Sequence, residues 1–73
     1  MSAQQELAEE LARETLEIIE ITGDQDLIRQ VSERLATSST VAQEAFLSSV
    51  RLRLAINRAR AFLKEKRAEL NLE

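Results

Sequence analysis

One glycine and no proline in 73 residues leave this chain almost nowhere to turn sharply. Strands need frequent turns, and turns lean on Gly, Pro, Asn and Asp. Only two short stretches here carry turn chemistry, Thr22–Asp24 and Thr37–Thr40. Two turns allow three long elements, and the Ala, Leu, Glu and Arg between them favour helix. The sequence therefore predicts a single all-α domain over residues 1–73. It is a three-helix bundle whose third helix is much the longest.

Helix 1 is expected over about 3–22. Ser2 followed by Gln5 has capping-box spacing, in which a hydroxyl and an amide satisfy each other's free backbone N–H. At about 100° per residue, Leu7, Ala8, Leu11, Ala12, Thr15, Ile18 and Ile19 share one face. The opposite face is acidic, and Gly23 fits the left-handed position that ends a helix. Asp24 is expected to cap helix 2 over about 25–36, with Asp26 in its first turn. Leu27, Ile28, Val31 and Leu35 form its apolar stripe. A second capping box, Thr40 with Gln43, is expected to open helix 3 over about 41–70. Ser48–Ser49 is its weak point, where a kink would fall.

Helix 3 carries two apolar seams. One runs Val41, Ala45, Leu52, Ile56, Ala59, Leu63 and Leu70. The other is Leu47, Val50, Leu54, Asn57 and Ala61, in steps of three and four, roughly opposite the first. Phe46 and Phe62 fall outside both. A helix on the surface of a small monomer needs only one seam, so helix 3 is expected to be central and covered from two sides. The cover is helices 1 and 2, or a second copy of the chain in a coiled coil. The second seam, with Asn57 as a register-setting polar residue, is the expected homodimer interface.

Charge is divided along the chain. Residues 6–20 hold six Glu and one Arg, a net −5, and residues 51–67 hold seven Arg or Lys against one Glu, a net +6. Complementary pairing of acidic and basic helices would disfavour wrong partners more than it would stabilise right ones. The alternative is an anionic partner, such as nucleic acid, held by Arg53, Arg60, Lys64 and Arg67. Against this stand the chain's overall charge of −3 and its lack of Trp and Tyr for base stacking.

With no His and no Cys, Ser–His–Asp and Cys–His catalysis is excluded, as are the usual zinc ligand sets. One glycine cannot build a phosphate loop. The chain is therefore expected to be non-enzymatic, with no metal and no cofactor. No apolar run approaches membrane-spanning length, and the acidic start is unlike a signal peptide, so a soluble, cytoplasmic protein is expected. Caps, binary pattern and turn residues all agree, as in a de novo designed scaffold. The preference for Arg over Lys and the Ser pair inside helix 3 are less idealised, so natural and designed origins both stand. Leu72–Glu73 reads equally as fold or as a cloning remnant. The function expected is self-association or protein–protein interaction.

Overall fold

A computed structural model describes residues 2–71; Leu72 and Glu73 lie outside them. Three helices pack together: α1, Ala3–Thr22; α2, Leu27–Ala36; and α3, Thr40–Glu69. There are no strands among the described residues.

The start of α1 follows its capping box. Ser2 Oγ accepts from Gln5 N at 3.2 Å, and Ser2 N donates to Gln5 Oε1 at 3.1 Å. At the other end Gly23 has φ 75° and donates to Ile19 O at 2.7 Å. A Cβ there would meet nothing within 4 Å, so the demand for glycine comes from the left-handed backbone alone.

The entry to α2 is looser than expected. Asp24 Oδ1 accepts from Asp26 N at 3.1 Å, and Asp24 O accepts from Leu27 N at 3.2 Å. Asp24 thus makes a capping bond, but it closes a turn and the α-helix proper begins two residues late, at Leu27. The start of α3 is shifted the other way. Its N-cap is Ser39, whose Oγ accepts from Ala42 N at 3.0 Å, and Thr40 is already helical. The expected Thr40–Gln43 box does not form. The Gln43 amide instead crosses to α2 and donates to Ser32 Oγ at 3.0 Å. Ser32 is buried, and that partner offsets the cost of removing its hydroxyl from water.

The chain runs up, down and up. Gln5 and Glu9 lie beside Ala45 and Ser49, while Leu16 and Glu20 lie beside Arg53 and Asn57, so α1 and α3 are parallel. Leu35, at the end of α2, returns to Leu7 and Ala42 near the starts of the other two. α3 is central and touches both partners. It passes through Ser48–Ser49 as uninterrupted helix.

The core is small. Ala12, Phe46 and Val50 form its sealed centre, with Leu11, Leu16, Ile28, Val31, Leu35, Leu47 and Leu54 packed around them. Phe46 is fully buried, although it lies off both apolar seams in the sequence. Room for its ring comes from Ala8 and Ala12, the small residues α1 turns inward. Thr15 is also buried, its hydroxyl donating to Leu11 O at 2.8 Å. The whole measures 49 × 30 × 13 Å. Its radius of gyration is 14.9 Å, against about 11 Å for a compact domain of this length.

Candidate interaction surface

α3 has two unlike halves. Its first half is the spine of the core. From Ala55 to Asn71 every residue is exposed, a stretch of about 22 Å at the standard helical rise, of which the part beyond Asn57 projects past the flank of α1. The projecting half carries Ile56, Phe62 and Leu63, and Leu70 caps its end, all 44–64% exposed.

The two seams have exchanged roles relative to expectation. Leu47, Val50 and Leu54 pack into the chain's own core, Val50 to 3% exposure. α1 and α2 pack around them, burying Val50 and leaving Leu47 and Leu54 half-buried. Asn57 and Ala61, the rest of that seam, are exposed, and Asn57 borders a groove with Leu16 and Glu20 of α1. The seam that stays open is the other one. Val41, Leu52, Ile56, Leu63 and Leu70 are 44–64% exposed along the outer face of α3, and Ala45 is half-buried among them. Periodicity identified both seams, but which one faces inward depended on where the small residues of α1 allow close approach.

A groove runs beside this outer seam, between α1 and α3. Gln5, Glu9, Glu44, Ala45, Ser48 and Leu52 line it. Arg53 stands at its edge, 3.8 Å from Glu9, the one ion pair between helices among the described residues. The other four ion pairs lie within helices or at their starts, as steps of three or four residues. Arg53 Nε is buried without a hydrogen-bond partner.

The residues expected to meet an anionic partner are only partly together. Arg60, Lys64 and Arg67 surround Leu63 in a shallow patch near the free end of α3. Arg53 sits apart, half-buried in the bundle. Lys66 stacks over Phe62 at 5.8 Å from the ring centre. Arg51, Arg58, Arg60, Lys64 and Arg67 have no carboxylate within 4.0 Å among the described residues. Also among the described residues, no three His, Cys, Asp or Glu side chains converge on a metal-sized site, and no helix is long and apolar enough to cross a membrane.

No known protein family, no characterised protein and no solved structure matches the chain.

Proposed function

We propose that this protein is a non-enzymatic helical module that works by self-association, with α3 supplying the interface. The observation that carries this reading is the projecting half of α3. An isolated helix of about 15 residues is marginal in water, and no residue of this stretch is buried or even half-buried by its own bundle. It nonetheless holds Ile56, Phe62 and Leu63 in the open. Contiguous exposed apolar surface on a small protein is characteristic of contact sites.

Area supports the same reading. The chain exposes 5652 Å², whereas a folded monomer of its mass is expected to expose about 4,600 Å². The surplus, on the order of 1,000 Å², matches the roughly 800 Å² that each partner buries in a standard interface. An anionic partner is the weaker reading. The cations that would hold it are divided between the bundle and the free end, and Leu63 sits in the middle of the larger group.

Sedimentation equilibrium over a dilution series tests the proposal. Twice the chain mass of 8.3 kDa is expected at high concentration, falling toward one chain on dilution. A single-chain mass at every concentration overturns it.

A further inference from the structure

We infer that the partner seated on the outer face of α3 is a second copy running antiparallel, in one particular register. This rests on the self-association just proposed and goes on to its geometry. Three observations carry it.

The first is the seam itself. In steps of three and four, the outer face reads Val41, Ala45, Ser48, Leu52, then Ala55 with Ile56, then Ala59, Leu63, Lys66 and Leu70. That is coiled-coil spacing along the whole helix. A two-fold axis between Ala55 and Ile56 sets Val41 opposite Leu70, Ala45 opposite Lys66, Ser48 opposite Leu63 and Leu52 opposite Ala59. From Ala45 inward, each pair joins a short side chain to a longer one, which lets facing layers interdigitate without voids. A parallel, in-register pair would set Leu on Leu, Ala on Ala and Lys66 on Lys66.

The second is charge. Parallel pairing would lay two basic free ends side by side, each drawn from a segment of net +6. Antiparallel pairing carries each basic end to the start of the other α3, beside acidic α1. Arg60 and Arg67 repeat the position of Arg53 at seven-residue steps, so they share the flank that reaches Glu9. The two-fold axis preserves that flank. It brings Arg60 and Arg67 of the second copy over the side of the groove that Glu9 lines. Such complementarity selects orientation more than it adds affinity.

The third is reciprocity. Each free end would cover the outer seam along the other copy's bundle, so both halves of the seam find cover in one symmetric contact.

Single cysteines test the register in a chain that has none. Ser48→Cys and Leu63→Cys both lie at exposed positions, about 22 Å apart along one helix, too far to join within a chain. Mixed and mildly oxidised, the two variants should cross-link to each other in excess over either alone. A dimer in which Leu63→Cys alone cross-links as readily, or in which no pair forms, overturns the register and leaves self-association standing. A single-chain mass in sedimentation overturns both.

Discussion

The guanidinium of Arg29 holds two carboxylates at once. It reaches Asp26 at 2.8 and 2.7 Å and Glu33 at 2.6 Å, clamping the entry of α2 to its second turn. The bonds from Arg29, and then from Gln30, hold the Asp26 carboxyl below its ordinary value of 3.8, and the bonds to Asp26 and then to Glu33 hold the guanidinium charged even further above its usual range. A depressed folded-state value means that Asp26 favours the folded chain above about pH 3.8. That contribution falls away as pH drops through the folded value. Following the carboxyl by NMR should give a midpoint below 3.8, moving back toward it in Arg29→Ala. A midpoint that does not respond to the substitution would remove Arg29 as the cause. The spacing of Asp26, Arg29 and Glu33 was available in the sequence as steps of three and four, although it was not singled out there. The Gln43–Ser32 bond was not, because Gln43 had an equally good local partner in Thr40. Only the placement of α2 gave it a different one.

At the scale of the helices, capping chemistry and packing were not equally readable. α1 could be read to both ends, since Ser2, Gln5 and Gly23 act through bonds within a few residues. α3 opens one residue early because Ser39 and Thr40 are both competent caps, and the tight turn chooses between them. Ser38 N and Ser39 N both donate to Leu35 O, at 3.0 and 2.8 Å, which sets Ser39 in the extended conformation an N-cap needs. The inner face of α3 was left undecided between its two seams for a different reason. Two faces of similar hydrophobicity differ only in what meets them, and Phe46 becomes central because Ala8 and Ala12 stand opposite. The free half of α3 should show this dependence in its dynamics. If a second copy covers it, amide exchange over residues 58–69 should slow as protein concentration rises, while exchange around Phe46 stays constant. Uniform, concentration-independent exchange along α3 would count against any cover of the free half.

As a whole molecule the chain has little stability in reserve. A domain of this size is held by about 4–11 kcal/mol, and its sealed centre consists of three side chains. Phe46→Ala should therefore cost about 3–5 kcal/mol, a large share of the total, and thermal melting should show the loss. A melting temperature within a few degrees of the parent would mean the centre lies elsewhere. Fold class was readable from the scarcity of turn residues alone. The elongated outline was not, because pattern gives the lengths of the helices but says nothing about where along a long helix its shorter neighbours sit.

Anchored at Phe46 and unbroken as far as Glu69, α3 acts as a lever with its pivot in the core. Glu69 lies about 35 Å from that pivot. A tilt of about five degrees at the ring therefore swings the tip through about 3 Å, roughly two residues' worth of helical rise. Small changes in how Ala8 and Ala12 seat the aromatic ring are thus magnified at the far end, and alignment there is governed by a pocket that never touches it.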